Sequence, residues 1–152
     1  MALKITLKPG ERFVVNGAVL TNGDRRSSFI IQNKVSILRE RDIMTEDEVT
    51  SPARRVYFPI MLSYLEPDRA ADYSDEFMTR MTELMGALMN PQVKLACAQI
   101  SIDMMNREYY RALAACRKII DYETLALHAL TTGDSHGPGS LPARAENSGI
   151  AA

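Results

Sequence analysis

The chain has 152 residues, a formal net charge of −1 at pH 7 and a hydrophobic fraction of 46%. It is long enough for one or two small domains with a core. Its near-neutral charge excludes a polycationic nucleic-acid domain. No apolar run reaches the length of a membrane span, and no signal-peptide core is present, so we expect a cytoplasmic protein without a membrane anchor.

The first part of the chain alternates short apolar runs with turn residues. Asn16-Gly17 and Asn22-Gly23 each stand between two such runs. Asn-Gly is typical of tight hairpin turns, because both central residues of a type I′ turn need a positive φ. The pattern predicts an antiparallel β-module over residues 1–44, with strands in five places: around Leu3, Ile5 and Leu7, then at 13–15, 18–20, 29–31 and 35–38.

The rest of the chain has helical periodicity. Ser51-Pro52 predicts the start of a first helix, because Ser is a good N-cap and Pro suits the first helical position. Glu66-Pro67 ends it, and Pro59 should kink it. Further helices are predicted at about 69–89, from Asn90-Pro91, and at about 107–130.

The predicted fold class is therefore α+β: a small N-terminal antiparallel β-module followed by three or four antiparallel helices. The predicted division is a β-module at 1–44, a helical domain at 45–131 and a disordered tail at 132–152. The tail is rich in Gly, Ser, Pro and Ala and offers few apolar anchors.

Several short sequence motifs resemble those of the FlbT family of flagellar biosynthesis repressors. They are Leu-Lys-Pro-Gly-Glu-Arg at 7–12, Asn-Gly-Ala-Val at 16–19, Asn-Gly-Asp-Arg-Arg at 22–26 and Leu-Arg-Glu-Arg-Asp-Ile at 38–43. The resemblance extends over roughly residues 3–125. It implies a post-transcriptional repressor that associates with the 5′ untranslated leader of flagellin mRNA and promotes its decay.

The β-module is mildly basic. Residues 1–58 carry ten Lys/Arg and seven Asp/Glu, whereas residues 59–90 carry two and six. Arg25 and Arg26 follow an Asn-Gly-Asp turn, where they suit either a solvated hairpin tip or a clamp for phosphate oxygens. If residues 38–42 continue a strand, Arg39 and Arg41 project from one face, either paired with neighbouring carboxylates or facing RNA.

Arg54 and Arg55 lie in the first turn of a helix, where positive charge opposes the helix dipole. A salt bridge to Asp42 or to the acidic run 46–48 is the favoured interpretation, and a ligand phosphate is the alternative. Before residue 56 only Phe13 and Phe29 are aromatic, both at strand positions that suit a core, so RNA contact would rest on backbone charge and shape. The candidate RNA-binding residues are Arg25, Arg26, Arg39, Arg41, Arg54 and Arg55.

No catalytic or cofactor motif is present. His128 and His136 are the only histidines, and neither has metal-ligand spacing to a Cys or carboxylate. Cys97 and Cys116 are expected to be reduced, packed thiols. We therefore expect a non-enzymatic protein with no metal and no cofactor.

Methionine is unusually frequent in the helical half. The side chains of Met78, Met81, Met85 and Met89 recur at helical spacing, which fits either core filler or an adaptable partner-binding face. Met81 and Met85 align with apolar neighbours, so Met78 and Met89 are expected at the exposed edge. The alternative function is thus an adaptor that binds flagellin or another flagellar factor. A homodimer through strand edges is also consistent with the pattern.

Overall fold

A computed structural model describes residues 2–131, and it confirms the α+β class. The predicted tail at 132–152 lies outside the described residues. Five strands are followed by four helices. The strands are β1 (Leu3–Leu7), β2 (Arg12–Val15), β3 (Ala18–Thr21), β4 (Ser27–Ile31) and β5 (Ile37–Arg39), and the helices are α1 (Pro52–Leu65), α2 (Ala70–Ala87), α3 (Pro91–Met105) and α4 (Tyr109–Thr131).

The strands form two antiparallel sheets. β1 pairs with β4, whereas β2 lies between β3 and β5. Asn16 and Gly17 have φ of 48° and 84° and join β2 to β3, as a type I′ hairpin requires. The outer edge of β3 is unpaired within residues 2–131, so dimerisation through strand edges stays a prediction.

The second Asn-Gly pair does not form a hairpin. Neither Asn22 nor Gly23 has a positive φ, and the chain here crosses from β3 in one sheet to β4 in the other. The Asn22 side-chain amide holds this crossing, because it donates to the carbonyl oxygens of Lys8 at 2.8 Å and Arg25 at 2.9 Å. A polar side chain that satisfies two loop carbonyls stabilises the crossing without a tight turn.

Helix ends follow the predicted caps. Ser51 Oγ accepts a bond from the Arg54 N–H, and Asn90 Oδ1 accepts one from the Gln92 N–H at 2.8 Å. α1 continues past Pro59 to Leu65. α2 ends at Ala87, so the prediction that all four candidate methionines share one helix was wrong: Met89 lies in the loop before α3.

The main core surrounds α1, which packs against both α2 and α4. Val56, Tyr57 and Ile60 of α1 are fully buried, and Val14 and Leu38 of the β-module belong to the same cluster. A smaller cluster contains Ile5, Leu7 and Phe13. The prediction that Phe29 is a core residue was wrong, because its side chain is 45% exposed and only flanks Phe13, with ring centroids 6.0 Å apart.

Two tyrosines of α1 join the helices to the β-module. The Tyr64 hydroxyl accepts a bond from the Ile37 N–H and donates one to the Ile37 carbonyl, both at 2.9 Å. The Tyr57 hydroxyl donates to the Asp42 carbonyl at 2.7 Å. These bonds satisfy main-chain groups at the point where β5 begins and where the chain leaves the β-module.

We predict that Tyr64→Phe lowers the free energy of unfolding by about 1–3 kcal/mol, because it leaves both polar groups of Ile37 unpaired at a half-buried position. Urea denaturation monitored by circular dichroism measures the change.

The matched control is Tyr110→Phe. The Tyr110 ring packs against Tyr64 with centroids 5.5 Å apart, but its hydroxyl has no partner among residues 2–131. The control should change stability by less than about 0.5 kcal/mol. Equal effects of the two substitutions would contradict the role given to the Tyr64 hydroxyl.

Candidate nucleic-acid interface

The arginines predicted to contact RNA differ in their surroundings. Arg25 and Arg26 are exposed in the crossing between β3 and β4, and neither forms an ion pair with a carboxylate in the part of the chain that is described. Their guanidinium groups are free for solvent or for an anion. The Asn22 bond to the Arg25 carbonyl fixes the main chain of this loop.

Arg39 is engaged inside the protein. Its guanidinium forms a fork on the Glu11 carboxylate, with bonds of 3.0 Å from Nε and from Nη2, and it also donates to the Thr6 carbonyl at 2.8 Å. The hydrogen bond from the Lys8 N–H, followed by that from Arg39, lowers the pKa of Glu11. Arg39 therefore links strands from both sheets instead of offering a free charge.

The expected alternation at residues 39–42 does not occur. β5 ends at Arg39, and Glu40–Asp42 forms a 3-10 turn, in which side chains do not alternate between two faces. Arg41 takes no part in the ion pair of Arg39. The Arg41 side chain is 80% exposed, and its nearest carboxylate, that of Asp42, is 3.8 Å away.

Two clefts meet at Arg41. The larger has a volume of about 600 Å³ and is lined by three arginines, by two carboxylates and by apolar side chains: Arg41, Arg54, Arg117, Glu48, Asp121, Ile43 and Ile120. The smaller, of about 410 Å³, runs from Lys8 and Gly10 to Arg41, and Glu11 and Glu40 also line it. We call Lys8, Arg41, Arg54 and Arg117 the basic track.

The favoured salt bridge from Arg54 or Arg55 to Asp42 or to the acidic run 46–48 was wrong. Asp42 pairs with Arg117, with Nε 3.0 Å from Oδ1, and neither Arg54 nor Arg55 forms an ion pair with a described carboxylate. One oxygen of the nearby Glu48 carboxylate, Oε2, accepts bonds from the N–H and hydroxyl of Thr45 at 2.7 and 2.9 Å. Arg54 lines the larger cleft together with Glu48, whereas Arg55 lies outside both clefts.

Sequence reasoning missed Arg117. Its Nη2 donates to the Arg41 carbonyl at 2.9 Å and to the Tyr57 hydroxyl at 3.0 Å, and its guanidinium lies 5.3 Å from the Tyr57 ring centroid. Burial raises the pKa of Tyr57 to about 12, so its hydroxyl stays protonated at neutral pH. A signal was available, since Arg117 directly follows Cys116 at the border of the apolar stripe of α4.

The predicted burial of the methionines is confirmed. Met81 is buried and Met85 partly so, whereas Met78 and Met89 are 65% and 89% exposed. Met78, Met81 and Met85 line a groove of about 660 Å³ between α2 and α3, together with Met104 and Met105. Met89 is not part of this groove.

No group of three His, Cys, Asp or Glu side chains suited to a metal ion occurs in residues 2–131. Cys97 and Cys116 are free and buried, and burial raises the pKa of both thiols, which makes them poor nucleophiles. Of the described helices, none is both long and apolar enough to cross a bilayer.

The comparison with protein families agrees with the resemblance of the short sequence motifs. A family model described as "Flagellar protein FlbT" matches residues 3–127. The chain belongs to the FlbT family. The match includes both sheets and nearly all of α4, so the basic track lies wholly within the family region of this FlbT-family chain.

Relatives of the chain carry the same family name. The "Flagellum biosynthesis repressor protein FlbT" of Caulobacter vibrioides is 52% identical over 137 residues, covering 90% of this chain and 97% of its own. A probable FlbT repressor of Caulobacter sp. is 55% identical, covering 81% and 94%. One from Rhodopseudomonas palustris is 34% identical, covering 81% and 95%. No solved structure matches the chain at a significant level.

We predict different stability effects for the cleft arginines of this FlbT-family chain. Arg117→Gln should lower the free energy of unfolding by about 1–3 kcal/mol, because it leaves the half-buried Asp42 carboxylate and the Arg41 carbonyl without a donor. Arg41→Gln and Arg54→Gln should each change it by less than about 0.5 kcal/mol. Chemical denaturation of the three variants measures this. A destabilised Arg41→Gln would show that its guanidinium, and not only its main chain, supports the fold.

Proposed function

We propose that this FlbT-family chain represses flagellin synthesis by binding the 5′ untranslated leader of flagellin mRNA and promoting its decay. The repressor role is supported by the names of the Caulobacter relatives. The leader as target follows from the family resemblance. The basic track supplies the contact surface, with its guanidinium groups directed at RNA phosphates.

The observation that carries this proposal is that Arg41 lines both clefts. A side chain that lines both clefts lets one extended strand contact Arg41 on its way from Lys8 to Arg54, past the carboxylates that also line the clefts. Arg41 and Arg54 are free of tight intramolecular ion pairs within the described residues, so little internal bonding is lost when a phosphate arrives.

Within the basic track, Arg117 is fixed in position before RNA binds, whereas Arg41 and Arg54 are not held by tight ion pairs. Arg117 is held by Asp42 and Tyr57 and therefore needs no reordering on binding. Rigid charges lose less side-chain entropy per contact than mobile ones. The described β-module presents no ladder of stacked rings, so discrimination among leaders would come from RNA shape and backbone path.

Binding of a flagellin leader RNA to the full chain, measured at several salt concentrations, tests the proposal. Arg41→Gln/Arg54→Gln should weaken binding and reduce the slope of log affinity against log salt by about 1.4, because each lost phosphate contact on a single strand contributes about 0.7.

The control Arg55→Gln/Lys94→Gln removes the same charge outside both clefts and should leave the slope unchanged. Arg25→Gln/Arg26→Gln tests separately whether the crossing loop extends the track. Equal slopes for the wild type and the Arg41/Arg54 double variant would refute the contact surface, and no binding to any leader RNA would refute the RNA function itself.

The second candidate function is an adaptor that binds flagellin or another flagellar factor. The open groove lined by five methionines favours it, because methionine suits surfaces that repack around a partner. The functions are distinguished by location: RNA binding depends on Arg41 and Arg54, whereas adaptor binding depends on the groove between α2 and α3.

A further inference from the structure

The groove between α2 and α3 has the shape of a helix-binding site. Its walls are two helices that make few contacts with each other, because α2 packs mainly on α1 and α3 mainly on α4. We call it the methionine groove. Its apolar lining comes from Phe77, Met78, Met81, Met85, Met104 and Met105.

The methionine side chains are graded from the floor of the groove to its rim. Met81 at the floor is buried, whereas Met78 and Met105 at the rim are 65% and 82% exposed. Large apolar side chains on opposite helices are therefore in water on both sides of a concave surface. Contiguous exposed apolar surface of this kind is typical of interaction sites, and a hydrophobic groove is a common binding site for the apolar face of an amphipathic helix.

The charges beside the groove specify what kind of helix fits. Arg69 is paired with Glu66 and Asp72, and Arg80 with Glu76 and Glu83, so both basic residues of the α2 region are neutralised.

Of the carboxylates in residues 66–87, two have no ionic partner among the described residues. Asp68 lines the groove, and Asp75 lies on α2 three residues before Met78 and therefore beside it on the helix surface. Arg107 is the one described cation in the lining. Residues 66–87 carry six acidic and two basic side chains, so the α2 wall is net negative.

We propose that the methionine groove binds an amphipathic helix of a partner protein whose apolar stripe is flanked by Lys or Arg side chains. The apolar stripe would pack on the methionines, and the basic flank would face Asp68, Asp75 and the acidic outer surface of α2. This inference rests on the adaptor function and is independent of the basic track.

The test uses the full chain with isotopically labelled methionine methyl groups, observed by NMR. The probe is a synthetic helical peptide with Leu at helical spacing and Lys on both flanks, and the matched peptide has Glu in place of every Lys. The methyl signals of Met78, Met81, Met85, Met104 and Met105 should shift with the Lys peptide. Those of Met44, Met61 and Met89 should not.

The two peptides should differ in affinity by about tenfold or more at low salt, with the difference shrinking as salt screens the flanking charges. Equal binding of the Glu peptide, or shifts centred on Met89, would overturn the proposal. Shifts that depend on the concentration of the protein alone would show that a second copy of this chain occupies the groove.

Variants locate the site independently. Met78→Glu/Met105→Glu places charges on both rims and should abolish binding of the Lys peptide, whereas Met89→Glu should bind as the wild type does. Because the rim residues are exposed, both variants should fold, and Met78→Gln/Met105→Gln provides a milder version that should weaken binding in the same direction. Wild-type affinity in both rim variants would overturn the proposal.

A separate arm distinguishes this inference from the adaptor function. If purified flagellin binds the chain and its binding survives Met78→Glu/Met105→Glu, the adaptor function stands and the groove assignment fails. If flagellin does not bind but the Lys peptide still does, the groove assignment stands with a different partner. The double variant should keep the affinity of the wild type for leader RNA.

Discussion

The structure depends on two hydroxyl groups that project from one helix. Tyr57 and Tyr64 are seven residues apart on α1, which is about two helical turns, so they lie on the same face about 10 Å apart. They hold the main chain of the β-module at Asp42 and at Ile37 respectively. Two anchor points fix both the direction of the segment between them and its distance from α1. The 3-10 turn that carries Arg41 lies within that segment.

α4 completes this arrangement from the other side. Its Arg117 binds Asp42 and Tyr57, and its Glu123 carboxylate accepts bonds from the Ser51 hydroxyl and, at 2.9 Å, from the Ala53 N–H. The first turn of α1 is thus capped by a residue that is distant in the chain. Because Arg54 lies in that turn, its position depends on α4, and the basic track exists only when both long-range contacts are made.

Local chemistry in the sequence predicted much of the fold. Ser51-Pro52, Asn90-Pro91 and Asn16-Gly17 act through their own backbone geometry, so their roles could be read without knowing the fold. Asn22-Gly23 has the residue types of a hairpin turn, but here the pairing of β1 with β4 overrides the local preference for such a turn. Strand pairing between distant segments is not encoded by a dipeptide.

The candidate site was harder to predict, because ion pairs are decided by tertiary neighbours. Arg39 and Arg41 are equivalent in the sequence, yet one forms a fork on Glu11 and the other is exposed at a junction of clefts. Arg117 is far from every candidate arginine in the chain. The spacing of the methionines could be interpreted correctly since Met78 and Met81 differ in burial through helical geometry alone.

The hydrogen bonds that join the helices to the β-module use different kinds of atoms on the two sides. On the helical side the participants are side chains, those of Tyr57, Tyr64 and Arg117, whereas on the β-module side most are main-chain atoms of Ile37, Arg41 and Asp42. A main-chain atom is the same whichever residue carries it. The exposed side chain at position 41 can therefore be exchanged for one that suits a different ligand while the main-chain attachment of the segment to the helices is retained. At this position the charge of the contact surface can change without altering the architecture, whereas Tyr57, Tyr64 and Arg117 must keep their side chains.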